Sequence, residues 1–477
     1  MARKSTHHRI LQRSLILAAI FVVALILAIS SLTLARSLPQ GNLTAQVTDA
    51  SQLLMKAQPY DSPLSRGLGL PFTNYPWSRD NGTDSTMLSV MLPQRGATAL
   101  HCALDNQWAQ LVEPYEPQSF PQQAIPSLAA RLAGSPQVQS ESYARYWHGY
   151  QVITQPLLRM MSYAQTRILN TVLLTLCLIV TLAVIARFVS RKVAVAFLVV
   201  LMLAGAYIVP LSWQFVAVSY IALAGMVAAV LLRRKRERLR FDLELFFILG
   251  IATVFFDFLT IPLITLGLPL LMVLVMMWQE SVQSAESAQR LDFGRDSRKE
   301  ILRASCAWVS GYGLFWVAKW VVSSLLLKQN VVKDAIQQIF LRGGAQSGSA
   351  SSSVSAHGGL LSAVGLRFEA PFKNLAALIP GPATTTGLVV RAAIAVALIV
   401  LAFACWVALR ARRRSKGAML QPARRASSFL IVAAFPLVWY FVLANHSIQN
   451  YYFTYRLLMV SLFAVALFFI ATLTPQE

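Results

Sequence analysis

The chain has little charge, little cysteine and none of the short signatures of soluble enzymes. Only 13% of its 477 residues are charged against 56% hydrophobic, and the mean hydropathy is +0.55. That balance excludes an ordinary water-soluble domain and marks a membrane protein by bulk composition. Four cysteines give no disulfide framework, because Cys177, Cys306 and Cys405 lie in apolar runs and Cys102 stands alone. A Gly-rich phosphate loop ending in Gly-Lys-Ser/Thr is missing. So are HExxH, GxSxG and any Cys/His set with zinc spacing. No internal repeat is present, which weakens an inverted-repeat transporter architecture.

What is there is apolar sequence in long runs. A helix needs about 20 such residues to cross a hydrocarbon core. Ten runs qualify, at roughly 14–35, 168–186, 193–210, 213–232, 243–260, 261–278, 303–327, 388–409, 428–445 and 456–473. The 241–278 stretch has Pro262 near its middle and predicts a tight helical hairpin. The first run exceeds a signal-peptide core and no small-x-small site follows it, so it is expected to remain as an anchor. The fold class read from this pattern is an all-α integral membrane protein. It has about ten transmembrane helices and a mostly helical external cap between the first and second.

The net charge of +22 does not indicate nucleic acid. With ten spans and both termini cytoplasmic, 25 of the 42 Lys and Arg fall in five cytoplasmic stretches. The basic runs at 233–236 and 412–416 land inside without adjustment, as the positive-inside rule requires. They read as topology signals and contacts for membrane lipids with anionic head groups. The expected location is a membrane, with both termini on its cytoplasmic side.

Five segments follow. Residues 1–36 hold the N-terminus and first span, and 37–167 form the external cap. Residues 168–327 carry spans two to seven, with a cytoplasmic amphipathic piece at 279–302. A second external loop occupies 328–387, and 388–477 carry spans eight to ten. In the cap, Asp80 or Thr83 is expected to cap a helix over 84–91, with a turn at Asn81-Gly82. The second loop predicts an interfacial helix over 331–341, a mobile Gly/Ser-rich stretch over 343–359 and an amphipathic piece over 366–378.

Several residues carry candidate chemistry. Asp80 and Asp84, four apart, can act as base and metal ligand, or as a helix cap and a solvated turn. His148 sits in Tyr146-Trp147-His148-Gly149-Tyr150, which reads either as an interfacial aromatic belt or as a surface that stacks on sugar rings. Asp257 and Lys319 lie at membrane depth, where an ionisable group costs about 2.5–3.5 kcal/mol on insertion scales. They can form a structural ion pair, or Lys319 can hold a phosphate with Asp257 orienting it. Arg391, His446, Tyr455 and Arg456 crowd toward the same leaflet. Arg456 either snorkels or finds an anion.

The phrases Asp80-Asn-Gly-Thr-Asp84, Arg145-Tyr-Trp-His-Gly-Tyr150 with Pro156-Leu-Leu, Gly311-Tyr with Trp316 and Lys319-Trp320, and Phe453-Thr-Tyr-Arg456 resemble an uncharacterised family of bacterial multi-pass membrane proteins. The likeness spans most of the chain, and that family lends no established activity. The layout is also similar to the GT-C class of glycosyltransferases, which take sugars from polyprenyl-phosphate carriers. This second likeness is architectural. It implies Asp80 or Asp84 as the catalytic acid of the first loop, although many members place that acid nearer the first span.

The expected function is therefore a membrane glycosyltransferase. It would act at the outer leaflet on a polyprenyl-phosphate-linked sugar, building cell-envelope polysaccharide. Asp80 or Asp84 would take the acceptor proton, and Lys319 with Arg456 or Arg391 would stabilise the leaving phosphate. Tyr146, Trp147 and Tyr150 would stack on the sugar and His148 would hydrogen-bond it. No cofactor is required; a divalent metal at the aspartates is compatible with this chemistry. The alternatives are a transporter or flippase for a lipid-linked glycan, and a non-catalytic partner in envelope assembly.

Overall fold

The structure, a computed structural model, describes residues 2–57, 59–62, 77–94, 96–112, 120–234, 242–283, 292–344, 360–381, 384–412 and 421–473. The Gly/Ser-rich run from 345, the middle of the 279–302 piece and the later parts of both internal basic runs, 235–236 and 413–416, lie outside the described residues.

In chain order the first helix is α1 (Ala2–Ser37). Then come α2 (Gly41–Met55), β1 (Tyr60–Asp61), β2 (Arg79–Asp80), α3 (Asn81–Met91), α4 (Ala99–Asp105), β3 (Trp108–Leu111), α5 (Phe120–Leu132), β4 (Val138–Glu141) and α6 (Gln151–Met160). The rest is helical: α7 (Tyr163–Phe188), α8 (Arg191–Leu203), α9 (Trp213–Arg234), α10 (Asp242–Phe256), α11 (Ile264–Gln283), α12 (Phe293–Leu327), α13 (Val331–Gly343) and α14 (Leu360–Ala376). The last are α15 (Thr385–Arg412), α16 (Gln421–Ala433), α17 (Phe435–Val442), α18 (Ala444–Gln449), α19 (Tyr451–Thr454) and α20 (Leu458–Leu473).

Among the described residues, eight helical stretches are long and apolar enough to cross a membrane. They are Leu11–Ser37 within α1, α7, α9, α11, α12, α15, Arg425–Val442 across α16 and α17, and Tyr451–Leu473 across α19 and α20. An all-α, multi-pass membrane protein is the class this architecture fits. Leu27, Ile168 and Val400 are 62%, 65% and 61% exposed, an outward apolar surface suited to hydrocarbon rather than water.

Two of the ten expected runs fall short of the length needed. The third breaks after α8, only 13 residues long, at left-handed Gly205. A Cβ there would meet the Tyr455 hydroxyl at 2.9 Å, and a 3-10 turn containing Pro210 follows. The fifth run yields the 15-residue α10, about 22 Å at the rise of a helix. Its hairpin with α11 turns over 257–263, around Pro262.

The bundle closes where glycines permit contact. A Cβ on Gly311 of α12 would lie 2.2 Å from the Phe247 carbonyl oxygen, and one on Gly250 of α10 would lie 2.3 Å from that of Trp308. Backbone therefore touches backbone at this crossing, as in small-residue packing of membrane helices.

Between α1 and α7 the chain folds into short helices and two two-stranded antiparallel ribbons. One pairs Tyr60 with Asp80 and the other pairs Trp108 with Glu141. The apolar core here joins Leu43, Val47, Leu88 and Leu128 to Tyr163 and Trp213, the first residues of α7 and α9. This segment is thus docked on the helix ends.

Helix α3 is buried over its whole length. Asp80 is its N-cap, accepting from the Thr83 amide at 2.8 Å and the Thr83 hydroxyl at 2.7 Å. Asn81-Gly82 is consequently the first helical turn, which corrects the expected separate turn. The side-chain cap supplies what the orphan amide needs.

Candidate functional site

A cavity of ≈ 280 Å³ lies where seven segments meet at one end of the bundle. Thr83 and Met87 of α3 form one wall, and Trp108, Tyr143 and Tyr150 bring aromatic surface. Gln214 enters from α9, Phe258 and Thr260 from the α10–α11 turn, Arg342 from α13, and His446 and Tyr452 from the segment after α17.

His148 and Gln214 distinguish this cavity from a packing defect. Both are buried, at 2% and 3% exposure. Neither ring nitrogen of His148 makes a well-formed hydrogen bond, and neither end of the Gln214 amide does. Only the Tyr143 carbonyl acts on the imidazole as an acceptor. A buried polar group that lacks well-formed hydrogen bonds costs about 1–3 kcal/mol, so two such groups lining one cavity mark it as a place where a polar ligand or water can bind. His148 also has a left-handed backbone at φ 54, a conformation that L side chains rarely hold without a reason. Next to it, a Cβ on Gly149 would strike the Phe255 ring at 2.5 Å. The Gly149 amide donates to the Phe255 carbonyl at 2.8 Å, which fixes the loop against α10. Burial pushes the His148 imidazole well below its usual range, reinforced by the charges of Lys319, Arg36 and Arg145, so the ring is neutral.

Two Asp–Thr pairs stand behind the cavity wall. Asp80 accepts from the Thr83 hydroxyl, and Asp257 accepts from the Thr260 hydroxyl and from the amides of Leu259 and Thr260. Both threonines line the cavity. With their protons held by carboxylates, they offer lone pairs to a ligand hydroxyl. Burial pushes Asp80 up to about 7, against the lowering effect of its two Thr83 bonds. Neighbouring Asp84 raises it further and the Arg456 charge lowers it.

Asp84 is engaged elsewhere. Its carboxylate accepts from the Tyr163 hydroxyl at 2.6 Å, the Arg167 guanidinium at 2.9 Å and the Trp213 amide at 3.0 Å. It thereby caps α9 from another element and ion-pairs with α7. Burial raises its carboxyl above the usual range, while Arg167 and Tyr163 pull it down.

Of the residues expected at the site, His148, Tyr150 and His446 line the cavity. His446 is spoken for, with Nε2 at 2.9 Å from the Leu259 carbonyl and Nδ1 at 3.1 Å from the Asn450 amide. Burial, with the Arg342 charge, lowers it to about 3, so it is a neutral wall group. Tyr146 and Trp147 are buried against α12 instead of facing a ligand. Trp147 stacks on Phe315 at 4.9 Å and donates to its carbonyl, and Tyr146 packs on Trp316.

The alternative of an Asp257–Lys319 ion pair is not realised. Lys319 is fully buried, donates to the Leu104 carbonyl at 2.7 Å near the end of α4, and lies 5.3 Å from the Trp147 ring. Arg391 donates to the Gly387 and Ile379 carbonyls. The Tyr455 hydroxyl donates to the Ala204 carbonyl, and Arg456 stacks over Phe215 at 4.4 Å. None of these four lines the cavity.

The cations that do line it are Arg145 and Arg342. Arg145 pairs with Asp334 at 3.1 Å and lies 4.6 Å from the Tyr143 ring, and Arg342 lies 5.7 Å from the Tyr146 ring. Sequence reasoning did not assign Gln214, Arg342, Thr260 or Arg145 to the site. An amide two residues after Ser212, at the mouth of an apolar run, was the available signal for Gln214.

Among the described residues no three His, Cys, Asp or Glu side chains gather to hold a metal ion. The oxygens of Asp84 already face three donors, one of them cationic, and those of Asp80 face Thr83. That surrounding does not fit a divalent cation at the aspartates. Comparison with protein-family models, with curated proteins and with solved structures finds no match for this chain.

Proposed function

We propose that the chain transfers a sugar from a polyprenyl-phosphate-linked donor at the outer leaflet of a bacterial plasma membrane. In this reading α8 with the 3-10 turn after it and the short α10 with the turn after it complete two further crossings, which makes ten spans; both termini are cytoplasmic and residues 37–167 lie outside. The observation that carries it is the cavity lined by buried His148 and by the unpartnered amide of buried Gln214. Aromatic faces suit the apolar side of a sugar ring, Asp-backed Thr83 and Thr260 accept from its hydroxyls, and Arg342 and Arg145 suit a phosphate.

The chemistry is a single displacement. The acceptor hydroxyl oxygen bonds to the anomeric carbon as the bond from that carbon to the phosphate oxygen breaks. The lipid phosphate leaves with the electron pair, stabilised by the two guanidinium groups. The hydroxyl proton passes through the Thr83 hydroxyl to Asp80, whose raised affinity for a proton suits a base near neutral pH. Asp84 holds α3 in place.

A second reading, a transporter or flippase for a lipid-linked glycan or a non-catalytic assembly partner, is favoured by one observation. Neither Asp80 nor Asp84 lines the cavity directly. Complementation of a deletion strain by Asp80→Asn, Thr83→Val and Gln214→Ala separates them, with membrane protein levels checked. Loss of one envelope glycan with accumulation of its lipid-linked donor supports the transferase. Full activity in both Asp80→Asn and Thr83→Val ends that reading in favour of the second.

A further inference from the structure

A second cavity, of ≈ 330 Å³, lies among α7, α8, α9, α11 and α20, and the polar site does not use it. Its walls are apolar, with Leu174, Phe197, Leu201, Leu223 and Leu268 among them. Two of the hydroxyls that border it are satisfied within their own helices, and the Tyr207 hydroxyl at its edge is the buried polar exception. Ser219 donates to the Phe215 carbonyl and Thr171 to that of Arg167, both one turn back, so they present carbon to the space. At the rim Thr175 and Met202 are exposed, beside the outward-facing Leu176, Ile179 and Leu203. In a membrane this opening faces hydrocarbon.

Three stretches of chain line both cavities. Helix α9 gives Gln214 to the polar one and Ser219, Ala222 and Leu223 to the apolar one. The α10–α11 turn gives Phe258 and Thr260, and the helix after it gives Ile264 and Leu268. Phe453 and Met459 divide in the same way. Five residues from Gln214 to Ser219 amount to about 7.5 Å of helix rise, so the apolar space begins roughly one turn and a half deeper.

We propose that this lateral cavity seats the hydrocarbon chain of the lipid whose head group enters the polar cavity. The identity of that lipid rests on the transferase reading; the chain seat itself rests on the apolar walls, the lateral opening and the three shared stretches. Water in such a space would find few polar partners, whereas a chain gains apolar contact at every methylene.

The test uses the full-length protein in phosphatidylcholine vesicles with a long-chain alkyl phosphate that carries a photoreactive group on its chain. Label is expected on peptides containing Leu201, Met202 and Leu223. It should fall about tenfold in Thr175→Trp and Ser219→Phe, which fill the space. Wild-type mapping keeps the test decisive where a filled variant fails to fold. Label spread evenly over α1 and α15, or undiminished in both folded variants, overturns the chain seat. Label in the cavity that Gln214→Ala leaves unchanged keeps the chain seat and counts against the head-group reading alone.

Discussion

Asp84 and Arg167 form a buried ion pair, 2.9 Å apart, between the first turn of α3 and the second long helix of the bundle. At the other end of α3, Arg36 from α1 donates to the carbonyls of Val90, Met91 and Leu92. A helix of eleven residues is thus held at its positive end by a carboxylate and at its negative end by a guanidinium. Both ties run to apolar helices, so the wall bearing Thr83 and Met87 is fixed relative to Gln214 on α9. The same phrase, Asp80 to Asp84, serves anchorage through one aspartate and the cavity through the other.

Breaking the Asp84–Arg167 pair leaves an uncompensated charge in the interior. Asp84→Asn and Arg167→Met are each expected to cost about 3–5 kcal/mol. Thermal unfolding in detergent should show both midpoints far below that of the parent. A change in either variant equivalent to less than about 1 kcal/mol would mean that water reaches the pair, since exposed pairs are worth that little.

Asp80 predicts the opposite behaviour. Its folded carboxyl is raised to about 7, whereas an unfolded Asp titrates near 3.9. Between about pH 4 and pH 7 the folded chain holds a proton that the unfolded chain has lost, so this contribution to stability falls as pH rises and levels off above 7. Asp80→Asn stays neutral and remains a good N-cap. Its midpoint should match the parent near pH 4 and exceed it at pH 8. Parallel curves across this range would place the Asp80 pKa in the ordinary carboxylate range.

These contrasts explain what could be read from sequence. Long apolar runs were legible because about 20 such residues have few other fates. Breaks within them were not. Gly205 and the turn containing Pro210 interrupt one run, and their tolerance depends on Tyr455, some 250 residues away in the chain. The importance of the Asp80 to Asp84 phrase was visible from its polarity near a membrane, but the division of labour was not. Tyr163 and Trp213, which claim Asp84, are 79 and 129 residues distant. Lys319 looked like a phosphate ligand because a buried cation demands an acceptor; the acceptor is the Leu104 carbonyl, and a backbone atom leaves no mark in sequence. Gln214 was missed for the converse reason, since lacking a partner is a property of the fold alone.

Gly311 gives a packing prediction with its own control. Gly311→Ala places a Cβ against the Phe247 carbonyl oxygen, and backbone on both sides cannot yield as a side chain would. A loss of about 3 kcal/mol or failure to accumulate in the membrane is expected. Gly313 lies two residues on, and a Cβ there would meet nothing within 4 Å. Gly313→Ala should gain up to about 1 kcal/mol from helix propensity. Equal effects in the two variants would show that the α10–α12 crossing is looser than the contact implies.

His148 and Gln214 should trade stability against function. Gln214→Leu removes a buried amide without partners and is expected to stabilise the folded chain by about 1–3 kcal/mol. His148→Gly relieves the left-handed backbone, which costs an L residue about 1–2 kcal/mol, although the lost ring opens space that offsets part of the gain. Both variants should nevertheless fail to complement a deletion strain, because residues held at a cost to the fold are retained for what they bind. Unfolding midpoints and complementation measured on the same preparations decide the point. A Gln214→Leu chain that is less stable than its parent would mean that the amide is already satisfied without ligand, and the cavity would lose the observation that marks it as a site.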